Sequence, residues 1–288
     1  MKLVRLQGGL GNQMFQYAFC KLLEKNGASA KLDARHLGRY TPPRSLALNR
    51  IFADADRYSW NEGEPWEGRR ASTALLARHV LSSRLLRLLG SREIIVESSG
   101  AAVDAAGAAA AKYFVGYWQS EDVVRQVEQE LRQALIALTE KDKASLHVGA
   151  LRDDDVALHV RRGDYATHAR AAEHHGVLPL DYYQQASGIC AARGCRRAIV
   201  FSDDIEWCRH NLRQLPLELV FIDPVEGRDA DAELRLMLEF KHHIIANSTF
   251  SWWGARLARH GSDGVTVAPL RWFVKSKAGF LPASWNVV

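Results

Sequence analysis

The first 33 residues constrain the fold more than any other stretch, because they read as strand, glycine turn, helix, strand. Residues 2–7 form a short apolar strand, Gly8-Gly9-Leu10-Gly11 turns the chain, and a helix is predicted from near Asn12. Met14, Phe15, Ala18, Phe19, Leu22 and Leu23 recur at i, i+3, i+4 spacing and form one buried stripe, which Gly27 ends. Residues 28–33 return as a strand. A βαβ unit of this kind commits its strands to a parallel sheet with helices against its faces.

Residues 34–70 contain Pro42, Pro43, Pro65 and several glycines and read as loops with short helices. Further on, a helix is expected over 73–89, a strand over 93–97, an Ala-rich helix or connector over 101–111, and a strand over 112–118. Ser120 is placed to cap a helix whose stripe runs through Val123, Val127, Leu131 and Leu135. A polar break containing Lys141-Asp142-Lys143 and residues 152–155 puts a domain boundary near residue 150. The alternation then restarts, with strands at 156–160, 198–202, 219–222, 244–246 and 265–268 and helices at 181–192, 204–213, 231–243 and from about 251. The expected architecture is α/β, with Rossmann-like domains over 1–150 and 151–288 facing across a cleft and ligands beyond the carboxyl ends of the strands.

At 47% hydrophobic and 25% charged residues, the 288-residue chain has the composition of a globular protein with a large core. Its net charge of +5 comes from scattered residues. Without a long basic block, no nucleic-acid partner is expected, whereas a local site for a small phosphorylated ligand fits and peripheral contact with an anionic membrane stays open. Four cysteines without CxxC spacing suit a reducing compartment. The opening apolar stretch is too short for a signal peptide, and no run of about 18 apolar residues appears, so a cytoplasmic protein is expected.

Four segments can carry chemistry. The glycine turn invites an anion or polar ligand at a helix start, or is simply a tight turn. With Asp33 about 20 residues on, it resembles a dinucleotide site, although Met14 stands where a third glycine belongs. His159-Val160-Arg161-Arg162-Gly163-Asp164-Tyr165 brings two guanidinium forks to the end of an apolar strand, where they match phosphate oxygens or pair with a carboxylate such as Asp164. Phe201-Ser202-Asp203-Asp204 ends a strand and opens a helix; Asp203 is read as the cap and Asp204 as a ligand for N–H groups. Asn247-Ser248-Thr249-Phe250-Ser251-Trp252-Trp253-Gly254 offers hydroxyls at another helix start, or only caps and core tryptophans.

Taken together, GGLGNQMFQY from Gly8, GYWQS from Gly116, HVRRGDY from His159, FSDD from Phe201 and NSTFSWWG from Asn247 resemble the bacterial α-1,2-fucosyltransferases, glycosyltransferase family 11, in order and spacing over nearly the whole chain. The loop 166–175 matches poorly, and Phe240 replaces a smaller residue. The resemblance implies a GT-B fold whose second domain holds GDP-fucose, and inverting transfer to the 2-OH of a terminal galactose on an oligosaccharide or lipid-linked glycan. It implies that Arg161 and Arg162 bind the diphosphate, with Arg161 catalytic. His159 and Asp204 would contact guanine, Ser248, Thr249, Phe250 and Ser251 would line the phosphates, and Asn12 and Gln13 would face fucose or the acceptor on an acceptor-side first domain. Asp164 is the candidate base, ahead of His168, His174 and His175. No cofactor is expected beyond the donor substrate, and no metal: Asp54-Ala55-Asp56 and Asp229-Ala230-Asp231 satisfy a DxD pattern without an accompanying ligand set. The alternatives are a Rossmann oxidoreductase using NAD(P) and a non-catalytic sugar-nucleotide-binding protein.

Overall fold

A computed structural model describes residues 1–39, 44–59, 94–97, 110–142, 149–163, 173, 176–223, 230–259, 263–274, 276–277 and 279–288. The chain divides into two units, Met1–Leu135 and Ile136–Val288. This division falls before the polar break near 150.

The first unit is built on four strands: β1 (Lys2–Arg5), β2 (Ala30–Asp33), β3 (Ile94–Val96) and β4 (Tyr113–Val115). They lie in the order β2-β1-β4-β3, all parallel. Helix α1 (Leu10–Lys25) joins β1 to β2 and buries more than its apolar stripe. Gln13, Gln16 and Lys21 are buried with it. Lys21 is tolerated inside because Asp54 lies 2.6 Å from its Nζ and the rings of Tyr17 and Tyr58 flank it. The helix expected after Ser120 is two short ones, α2 (Glu121–Gln126) and α3 (Glu128–Ala134), interrupted at Val127. Ser120 is the cap, its Oγ accepting the Val123 N–H at 3.3 Å. The helix expected over 73–89 lies outside the described residues.

The second unit has six parallel strands: β5 (Asp155–Val160), β6 (Arg197–Ser202), β7 (Glu218–Phe221), β8 (His242–Ile244), β9 (Thr266–Ala268) and β12 (Asn286–Val287). A hairpin of β10 (Arg271–Phe273) and β11 (Ser276–Lys277) precedes the last of these. The order β12-β9-β8-β5-β6-β7 is the doubly wound 3-2-1-4-5-6 pattern read from its other edge. Two Rossmann-like units in one chain are the components of the GT-B class.

Strand β5 is buried at every position because helices cover both faces of the sheet. Val156, Leu158 and Val160 pack in a core with α4 (Leu180–Ala192), and Ala157 packs on the other face with Ile199, Phe201 and residues of α6 (Ala230–Met237). Pairing runs residue for residue from Asp155 opposite Arg197 to Val160 opposite Ser202. At its amino edge a buried ion pair, Arg197 Nε to Asp155 Oδ1 at 2.8 Å, fixes that register. The helix expected over 231–243 stops at Met237, and His242 and His243 belong to β8. His243 donates its Nε2–H to the Met237 carbonyl, 2.9 Å away, and its neighbours pair with β5.

Candidate functional site

Strands β5 and β8 are neighbours whose chains leave in opposite directions, β5 toward β6 and β8 toward β9. The crevice at their carboxyl ends is therefore the switch point at which doubly wound sheets bind ligands. Arg161 and Arg162 emerge there from β5, and Asn247 and Ser248 follow β8.

Asp203, one residue beyond β6, holds the arginine turn at three consecutive positions. Its Oδ2 pairs with Arg161 Nη1 at 2.9 Å, and its Oδ1 accepts the Arg162 backbone N–H at 2.8 Å. Its carboxylate also lies against Gly163, where a Cβ would sit 3.0 Å from the Asp203 Cγ. Asp204 Oδ1 accepts the Trp207 N–H at 3.2 Å and caps α5 (Ile205–Asn211), while Oδ2 lies 3.1 Å from Arg162 Nε. The expected division of these two aspartates is thus corrected: Asp204 is the cap and Asp203 the carboxylate turned to the loop. The reason is register, since Val160 opposite Ser202 sets Asp203 level with Arg161. Trp207, not signalled by the sequence, completes the seat, with the Arg162 guanidinium 3.9 Å above its ring.

His159 shares the sheet face of Ala157, is 6% exposed, and meets Phe250 with ring centroids 5.5 Å apart. Burial, and then the adjacent Arg161 cation, push its pKa down to about 3. The ring is neutral at ordinary pH, and its Nδ1 has no hydrogen-bond partner among the described residues. Phe250 stands in the first turn of α7 (Thr249–Arg256), which Ser248 caps through the Phe250 N–H. Thr249 and Phe250 are half-buried, whereas Ser251 is fully buried and donates to the Ser248 carbonyl at 3.3 Å. Its hydroxyl is committed to the helix start. Trp252 and Trp253 are core residues. Asn247 donates to the carbonyls of Gly176 and Trp272 and so fastens the segment behind the crevice.

In the first unit, Asn12 accepts from Gln119 at 2.9 Å, joining the glycine turn to the segment after β4. Gln13 is buried, donating to Gly8 and Ser45 carbonyls and accepting the Ala47 N–H. It staples a loop rather than meeting a ligand, a role visible only once residues 44–47 fold over α1. Asp33, the acid a dinucleotide site would use for ribose, is buried and takes a forked bond from Arg35 and another from Tyr113 at 2.8 Å. That internal network leaves the oxidoreductase reading without its ribose acid.

Asp164, His168, His174 and His175 lie outside the described residues, as does Asp229. Asp54 is bound by Lys21 and Tyr17, and Asp231 by Arg235 at 2.7 Å. Among the described residues no set of three His, Cys, Asp or Glu side chains is gathered to hold a metal, and no helix is long and apolar enough to cross a membrane. All four cysteines are buried free thiols.

The family model described as Glycosyl transferase family 11 matches residues 95–286. An alpha-1,2-colitosyltransferase of Escherichia coli is 31% identical over 95% of this chain and 92% of its own length. An O-antigen biosynthesis glycosyltransferase of Escherichia coli, WbnK, is 29% identical over 97% and 98% respectively. The galactoside 2-alpha-L-fucosyltransferase SEC1 of Bos taurus is 33% identical over 44% of this chain and 36% of its own.

Proposed function

As the chain belongs to glycosyltransferase family 11, we propose that it transfers fucose from GDP-β-L-fucose, with inversion, to the 2-OH of a terminal galactose on a glycan acceptor. The observation that carries this reading is the pair of arginines at the switch point, one held by Asp203 and the other by Asp204 and Trp207. Breaking the bond to GDP builds negative charge on the diphosphate. Cations already fixed in place stabilise that charge without reorganising during the reaction.

Arg161 supplies the principal contact to the leaving group, and Arg162 joins it. The first turn of α7, with Ser248, Thr249 and Phe250, borders the phosphates. Neutral His159, with its buried Nδ1, serves the guanine, while Asp204 caps its helix and holds Arg162. Asp164 takes the proton from the acceptor hydroxyl as that bond forms. No metal is required, because arginines and a helix start perform the charge stabilisation.

Colitose is fucose without its 3-hydroxyl, so the colitosyl relative makes the deoxy sugar the competing donor. A site that hydrogen-bonds the 3-hydroxyl rejects the deoxy donor strongly, whereas an apolar one discriminates weakly. The test is a donor screen with GDP-fucose, GDP-colitose, GDP-mannose and UDP-galactose, following nucleotide release with and without lactose. Acceptor-dependent release from GDP-fucose is expected. Arg161→Ala should lower it at least a hundredfold, about 2.7 kcal/mol of transition-state stabilisation. Binding without turnover would identify a non-catalytic protein, and near-normal turnover by folded Arg161→Ala would remove the arginine from the mechanism.

A further inference from the structure

In the first unit β4 lies beside β1, and the segment leaving β4 next to the glycine turn is braced more heavily than a connector needs. Glu97, following β3, accepts the backbone N–H of Tyr117 at 2.6 Å and of Trp118 at 3.1 Å. Gln16 donates to the Gly116 carbonyl at 2.9 Å, and Gln119 donates to Asn12. Gly116 is pressed so closely that a Cβ would lie 2.7 Å from the Glu97 Oε2. Trp118 has φ 56° and is the one non-glycine residue with positive φ among those described. Its ring is buried and stacks on Phe19, with centroids 4.4 Å apart. A bulky residue in that conformation persists only where its surroundings over-determine it, and such strain collects at ligand sites.

What this bracing presents is Tyr117. Its side chain is 41% exposed, and it is the only aromatic among the large exposed apolar residues described. Two neighbouring amides, Asn12 and Gln119, border the same turn and remain half-buried. A fixed, exposed aromatic face beside amides is the chemistry that recognises a sugar ring, with C–H groups against the π face and hydroxyls on the amides. Galactose suits it, because its axial O4 leaves the hydrogens of C3, C4 and C5 together on one apolar face.

We propose that Tyr117, carried by the Glu97-braced turn, is the platform for the acceptor's terminal galactopyranoside, with Asn12 and Gln119 as its hydroxyl partners. This rests on the transferase reading above. The test compares wild type, Tyr117→Ala and Tyr117→Phe with GDP-fucose and lactose. Tyr117→Ala should raise the lactose KM at least tenfold with little change in the GDP-fucose KM, and Tyr117→Phe, which keeps the ring, should restore it. An unchanged lactose KM in Tyr117→Ala, or a parallel rise in both KM values, overturns the proposal. Saturation-transfer NMR of methyl β-D-galactopyranoside without donor separates the two readings. If wild type turns over no donor, the transferase reading fails, and the NMR still decides Tyr117: signal lost in Tyr117→Ala supports the platform, and equal signal in both proteins rejects it.

Discussion

Alanine at Gly163 is expected to damage transfer without unfolding the second unit. The added Cβ would lie 3.0 Å from the Asp203 Cγ and nearer still to its Oδ2, so the carboxylate has to swing away. Gly163 is not among the glycines with positive φ, so the backbone itself accepts alanine. What is lost is the pair of bonds Asp203 makes, 2.8 Å to the Arg162 N–H and 2.9 Å to Arg161. A hydrogen bond to a charged group contributes about 1.5–3 kcal/mol, and an exposed ion pair about 0–1 kcal/mol. The Arg161 and Asp203 side chains are 30% and 26% exposed, which draws the ion-pair share toward the lower range. Together the two bonds are worth about 2–3 kcal/mol, or roughly 30- to 150-fold in kcat/KM if the held arginine is what the reaction uses. The assay is GDP release by wild type, Gly163→Ala, Asp203→Ala and the double variant. Both single changes remove the same bonds, so the double variant should be no slower than Asp203→Ala. Additive losses, or Gly163→Ala within threefold of wild type, would refute the reasoning.

Activity should survive EDTA; loss on chelation with recovery on adding Mg²⁺ or Mn²⁺ would return the charge stabilisation to a metal. His159 has a folded pKa of about 3 against an ordinary 6.5, so between those values the unfolded chain takes up a proton that the folded one refuses. Stability should rise with pH across that window, with a slope from this group of up to about 1.4 kcal/mol per pH unit. Urea midpoints of wild type should therefore fall more steeply than those of His159→Gln as pH drops from 6 to 4, and parallel curves would count against it. Asp164→Asn should depress transfer while calorimetric GDP affinity holds; weakened GDP binding in step with transfer would make Asp164 a partner of the arginines instead of the base.

The parts of this fold legible in the sequence are those governed by periodicity over several residues. Strand 156–160 is readable as an apolar run interrupted only by His159 because both its faces are covered, and α1 because its stripe from Met14 to Leu23 repeats over about three turns. Helix 231–243 ran six residues too far, since the apolar pattern continues through Phe240 and Ile244 while the chain changes from helix to strand. The role of Gln13 was not legible at all, because it depends on Ser45 and Ala47, more than thirty residues away. Asp203 and Asp204 illustrate a finer limit: either can cap a helix, and only the partner strand's alignment says which of them meets Arg161.

The Asp155–Arg197 ion pair carries that alignment from the opposite edge of the sheet. Side chains alternate faces along a strand, so the sheet has no half-steps: a shift of β5 against β6 must be a whole residue, which would turn His159 onto the wrong face and put Arg161 beside Ser202 or Asp204. Removing either member of the pair would also strand a buried charge. The position of the arginines is in this sense digital, read from a zero mark at Asp155, five residues before the strand ends. The count from that mark, and not the chain beyond Gly163, sets Arg161 level with Asp203.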